Sequence, residues 1–133
     1  MLYCGRAKGP TRENLMNTRE LANDLVALCK QGKFAEAGEK YWADNVLSVE
    51  PMGDNAELRG KAAVRGKGEW WANNHEVHSA VVEGPYVHGD QFVVRFKMDL
   101  TIKASGERRN MDEVGVYTIR NGKIVEERFF YGG

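Results

Sequence analysis

Phe92-Val93-Val94-Arg95-Phe96-Lys97-Met98-Asp99-Leu100-Thr101-Ile102-Lys103 decides the fold. Its even-numbered residues run Phe, Val, Phe, Met, Leu and Ile without a break, while the odd ones turn polar or charged from Arg95 onward. A period of two marks a strand with one core-facing side, whereas a helix would scatter the same residues around its circumference. The spacing predicts a strand over 91–103 with Phe92, Val94, Phe96, Met98 and Leu100 turned inward. Upstream, 76–88 reads as a second strand, joined through His88-Gly89-Asp90. Downstream, 108–120 and 123–131 are joined by Asn121-Gly122, a dipeptide suited to the two left-handed positions of a tight hairpin. Tyr117 falls on the inner face of this four-stranded antiparallel meander.

Further out, the pattern becomes helical. Leu15, Leu21, Leu25, Val26 and Leu28 share one side of a helix expected over 14–31 and stopped at Gln31-Gly32. Phe34, Ala37, Tyr41 and Trp42 suggest a second over 33–42. A short strand over 46–50 ends at Pro51, because proline restricts the residue before it to extended conformations. Met52-Gly53-Asp54-Asn55 is turn chemistry, and 60–74 reads as a third helix carrying Trp70 and Trp71 near its end. Three helices, a short strand and a long meander argue for an α+β fold, with the helices covering one face of a curved, mainly antiparallel sheet. Residues 1–12 form a polar leader without apolar periodicity, ahead of a domain over 13–133.

With 133 residues, 42% of them hydrophobic and 29% charged, the composition is that of one ordinary globular domain. The 19 basic and 19 acidic side chains cancel, so no overall field draws the chain to nucleic acid or an anionic membrane, and neither is expected as a partner. No apolar run approaches the roughly 20 residues of a membrane span, and the first residues lack the apolar segment of a secretion signal, so a cytoplasmic location is expected. Cys4 and Cys29 read as reduced thiols. There is no glycine-rich phosphate loop, no paired-cysteine motif, no HExxH and no GxSxG. No cofactor and no metal are expected: strand parity sets His75 and His78 on opposite faces, and His88 falls in a turn.

Two carboxylates stand out. Glu50 ends an apolar strand just before Pro51, where the chain meets the helical layer. A carboxylate facing an apolar cavity is disfavoured in its charged form, which tunes such a group toward general-base work near neutral pH. An exposed turn residue would occupy the same place in the sequence. Glu127 shares strand parity with Val125, Phe129 and Tyr131, an otherwise apolar and aromatic face, where a structural salt bridge is the alternative.

Tyr41-Trp42-Ala43-Asp44-Asn45-Val46-Leu47-Ser48-Val49-Glu50-Pro51-Met52-Gly53, then Arg59-Gly60-Lys61-Ala62-Ala63-Val64, then Asn121-Gly122-Lys123-Ile124-Val125-Glu126-Glu127-Arg128 resemble the SnoaL-like, ketosteroid-isomerase-related branch of the nuclear transport factor 2-like superfamily. The resemblance implies a cone: a curved sheet with three helices on its concave face, a pocket between them, and a homodimer formed through the sheet's outer face. Members include isomerases, dehydratases, hydrolases, cyclases and non-catalytic binders. Glu50 falls where ketosteroid isomerases carry their catalytic aspartate. Their oxyanion-hole positions fall near Val26 and Gly115, with Asp112 and Glu113 offset from the second, so that pair is not reproduced in place. Trp70 and Trp71 fall on the isomerases' aromatic pair, and Phe129 and Tyr131 on the last strand's pocket positions.

The expected function is that of a small-molecule pocket protein of isomerase, dehydratase or cyclase type. Glu50 would be the general base and Glu127 or Tyr131 the acid or hydrogen-bond donor. Trp70, Trp71, Tyr117, Phe129 and Tyr131 would contact a small apolar or amphipathic carbonyl or hydroxyl compound. The alternatives are a non-catalytic module for a small hydrophobic ligand and a dimeric interaction domain.

Overall fold

The structure, a computed structural model, describes residues 12–132, with side chains from Thr18 onward. The expected leader, save for Arg12, lies outside the described residues. Three helices, α1 (Arg12–Lys30), α2 (Phe34–Tyr41) and α3 (Lys61–Asn74), accompany six strands: β1 (Trp42–Val49), β2 (Glu57–Arg59), β3 (His75–His88), β4 (Gln91–Ile102), β5 (Glu107–Arg120) and β6 (Lys123–Phe130). The strands form one sheet in the order β2-β1-β6-β5-β4-β3. All neighbours are antiparallel except β1 and β6, which run parallel because the connection between them spans the rest of the domain.

The inner face is the one the alternation of β4 foretold. Phe92, Val94, Phe96, Leu100 and Tyr117 are buried, and Met98 packs against them. Leu21, Ala22, Leu25 and Val26 of α1, with Val64 of α3, close the core from the helical side. The β5–β6 hairpin turns at Asn121 and Gly122 with φ of 54° and 71°, the left-handed pair expected there. Asp24 accepts hydrogen bonds from Lys40 and Tyr41, which ties α1 to α2. No described helix is long and apolar enough to cross a membrane.

Three local features differ from the sequence-based expectations. Strand β1 starts at Trp42, directly after α2, since pairing with Ile124 of β6 extends the chain there. Glu57–Arg59 adds a short edge strand against β1, too brief to show an alternation of its own. Val125 does not share the face of Glu127: pairing shifts between Thr118 and Ile119, so Ile119 faces Ile124 while Tyr117 faces Glu127. A bulge of one residue reverses the alternation beyond it. Ile124 therefore takes the buried place, and Val125 is half-exposed.

On the outer face the charged residues of β4 find partners within the sheet. Arg95 holds Asp112 with two parallel hydrogen bonds of 2.9 and 2.7 Å, Arg108 holds Asp99 at 2.9 and 2.8 Å, and Lys97 lies 3.5 Å from Glu83. Val81, Tyr86 and Phe130 are exposed.

Candidate functional site: an acidic cluster inside the cone

Alternation along β1 places Val46, Ser48 and, just past the strand end, Glu50 on one side. The parallel register sets Ser48 beside Glu127 of β6. Glu127 is buried, with 6% exposure, and both its oxygens are used: Ser48 Oγ donates to Oε2 at 2.7 Å and Trp42 Nε1 donates to Oε1 at 2.9 Å. The indole reaches that oxygen because Gly38 of α2 has no side chain: a Cβ there would collide with the Trp42 ring. Burial pushes the Glu127 carboxyl up, and the Ser48 and Trp42 hydrogen bonds, with the charge of Lys67, work against that rise.

Lys67 joins the two carboxylates singled out in the sequence. Its Nζ donates to Ser48 Oγ and, at 2.7 Å, to Glu50 Oε2. It also stands 5.4 Å from the centroid of the Phe129 ring, within cation–π range. An unbroken chain thus runs from Glu50 through Lys67 and Ser48 to Glu127 and Trp42. Helical spacing accounts for the aim of Lys67, since Val64, three residues before it, is buried in the core.

Glu113 is the third carboxylate. It lies on the inner face of β5, opposite Phe96 of β4. Burial first, then the charges of Glu50 and Glu127, push its carboxyl up to about 7, with Lys67 opposing. Two residues further on, Gly115 leaves the room that Tyr117 occupies: a Cβ there would come within 3.0 Å of the Tyr117 ring, 3.2 Å of its hydroxyl and 3.1 Å of Phe129. Tyr117 is 5% exposed and stacks on Phe92 at 4.9 Å. Its phenol is raised well above the ordinary value by burial and by the carboxylates around it. Burial and hydrogen bonding to Glu50 likewise push the half-buried Tyr131 phenol up to about 12.

Glu50, Glu127, Tyr117, Phe129 and Tyr131 are therefore brought into one neighbourhood, together with Ser48, Trp42, Lys67 and Glu113, to which the sequence reading assigned no role in the site. The two tryptophans separate. Trp71, one turn beyond Lys67, is half-buried and stacks on His75 with centroids 4.5 Å apart. Trp70 is 61% exposed and only edge-on to His75. The two rings face differently because consecutive residues on a helix point about 100° apart. His75 bonds the carbonyl of Trp71, and His78 bonds Thr101 Oγ1, so the histidines serve separate places.

The profile of the SnoaL-like domain family matches residues 16–131. The chain belongs to that family. A solved SnoaL-like relative from Mesorhizobium loti, described as a candidate polyketide cyclase, is 59% identical, with a TM-score of 0.83 over 85% of this chain and 97% of its own. Another candidate SnoaL-like cyclase, from Jannaschia, shares the fold with a TM-score of 0.70 at 16% identity, over 93% of this chain and 90% of its own. A candidate isomerase from Bacillus subtilis does so with 0.67 at 19% identity, over 90% and 87%. Among curated proteins there is no match. In this SnoaL-like domain the cone's interior carries three carboxylates, one ammonium and two tyrosines, a set suited to moving protons and to holding charge on an oxygen.

Proposed function

We propose that this SnoaL-like domain acts as an isomerase- or cyclase-type enzyme on a small, largely apolar or amphipathic carbonyl or hydroxyl compound held inside the cone. The observation that carries the proposal is the convergence of Glu50, Glu113 and Glu127 around Lys67 on the inner face. Glu50 takes a proton from the carbon next to a carbonyl, and the electron pair moves onto the carbonyl oxygen. Lys67 as an ammonium and Glu113 as a neutral acid are the donors available to that oxygen, so the role left empty at Val26 and Gly115 passes to other residues. Glu50 then returns the proton to a different carbon, which completes an isomerisation. A donor of this kind is worth about 10²–10³ in rate. Glu127, with both oxygens engaged, holds Ser48 and through it Lys67 in place.

The Lys67–Glu50 ion pair favours a second possibility, a binding module without turnover, because it engages the oxygen that a base would need. Native mass spectrometry of the purified protein identifies the bound compound, and turnover of that compound is then compared in wild type and Glu50→Gln. The base assignment requires a fall of about 10²–10⁴ with little change in affinity. Equal turnover refutes it, and binding with no turnover in either protein establishes the binding module.

A homodimer formed through the outer face belongs to the same proposal. Val81, Tyr86 and Phe130 leave apolar surface there, and the internal pairing of Arg95, Lys97 and Asp99 lets that surface be covered without stranding charges. Light scattering at micromolar concentration should return twice the chain mass, and a monomer refutes the assembly.

A further inference from the structure

The outer side of the sheet holds a feature of opposite charge to the cone's interior. Strands β1 and β6 part company early: Trp42 faces Ile124 and Leu47 faces Glu126, so Ala43 to Val46 stand against Val125 alone. The separation opens a cleft of about 420 Å³ whose polar lining is Arg59, Arg120, Lys123, Asn45 and Asn121, with no carboxylate among the lining residues. Arg59 stands opposite Leu47, whereas its neighbour Leu58 stands opposite the inward Ser48, which puts the cleft on the face away from Glu50 and Glu127.

The contrast with the rest of the sheet is informative. Arg95, Arg108, Arg109 and Arg128 each have a carboxylate within 3.4 Å. Arg59, Arg120 and Lys123 have no ion pair among the described residues. Arg120 and Lys123 are direct cross-strand partners across the hairpin, a like-charge pairing that works against the fold. Two of the three heads are tethered at the cleft by backbone acceptors: Arg59 donates to the carbonyl of Asn45 at 3.2 Å and Lys123 to that of Lys40 at 3.0 Å. Each tether uses one donor. The remaining guanidinium and ammonium hydrogens, with the side-chain amides of Asn45 and Asn121, line a space that holds no carboxylate to neutralise them.

We propose that this cleft is a binding site for a phosphate-class oxyanion, held by Arg59, Arg120 and Lys123. A group with close to two negative charges and several acceptor oxygens matches two guanidinium forks and an ammonium, and it relieves the Arg120–Lys123 repulsion. The anion is either free phosphate or the phosphoryl end of an organic monoester, two sources that share this chemistry. The site is independent of the chemistry inside the cone.

The test is a titration of the intact protein with inorganic phosphate and, in parallel, phenyl phosphate, followed by amide NMR shifts and melting temperature at low ionic strength. Saturable shifts are expected at residues 43–45, 59 and 120–125, with a rise in melting temperature; in Arg120→Ser/Lys123→Ser the affinity read from the shifts falls at least about tenfold and the rise in melting temperature shrinks. These residues are exposed, so the double variant should fold, and without phosphate it should melt no lower than wild type. Tighter binding of phenyl phosphate assigns an organic monoester, and equal binding assigns free phosphate. An equal response to chloride at matched ionic strength, no saturable shift, or undiminished binding in the double variant overturns the site.

Discussion

Replacing Glu113 by Gln isolates the electrostatic tension inside the cone. The amide keeps the shape and the donor capacity of a neutral carboxyl and removes only the ionisation. In the folded protein burial pushes the carboxyl up to about 7, against an ordinary value of 4.5. Because the folded state holds this proton more tightly than the unfolded chain does, the group's effect on stability is nil well below 4.5. It turns unfavourable as pH rises, since the unfolded chain gives the proton up first, and it levels off above about 7. The full displacement corresponds to about 3 kcal/mol, of which under about 1 kcal/mol is already felt at pH 5. A domain of this size has only about 5–15 kcal/mol in total, so the effect is readily measured. Urea unfolding of wild type and Glu113→Gln, followed by tryptophan fluorescence from pH 5 to 8, should show the variant gaining about 2–3 kcal/mol on wild type across that range. All other titrating groups are common to both proteins and cancel to first order. A stability difference that stays flat with pH would refute the burial of Glu113 beside Glu50 and Glu127.

Gly38→Ala should destabilise the fold although alanine ordinarily favours a helix by about 1 kcal/mol, because the new Cβ displaces the Trp42 ring from α2 and from Glu127; chemical denaturation reads the sign. Gly115→Ala should lower stability by about 1–3 kcal/mol and shift the Tyr117 and Phe129 aromatic resonances, since both rings must yield. Glu127→Leu strands the Ser48 hydroxyl and the Trp42 indole N–H, with an expected loss of about 2–4 kcal/mol in the same denaturation assay. Trp70→Ala should stay within about 0.5 kcal/mol of wild type while Trp71→Ala loses more, because only the second ring is stacked and half-buried.

Much of the architecture was legible because strand and helix periods are local properties. The alternation from Phe92 to Ile102 named the inner face, Asn121-Gly122 named the hairpin, and the spacing of Leu21, Leu25 and Val26 named the packed side of α1. The same parity places Ser48 with Glu50 and Glu113 with Tyr117, so those two site residues were present in the pattern, and their polar side chains hid them in a search for apolar faces. Lys67 was less visible still: only the position of Val64 one turn earlier shows which way that side of α3 faces. Other features had no local signal. The bulge that exchanges Val125 for Ile124 depends on what the neighbouring strand does, and the parallel pairing of β1 with β6 joins segments about eighty residues apart. Trp42 reaches Glu127 only because a glycine on another element makes room. Sequence by itself determined the class of fold and the side of each strand that meets the core, because those follow from backbone geometry and burial. Which carboxylates share one field, and which cations are left without one, was decided by the tertiary structure, because charge interactions depend on distance through space and not along the chain.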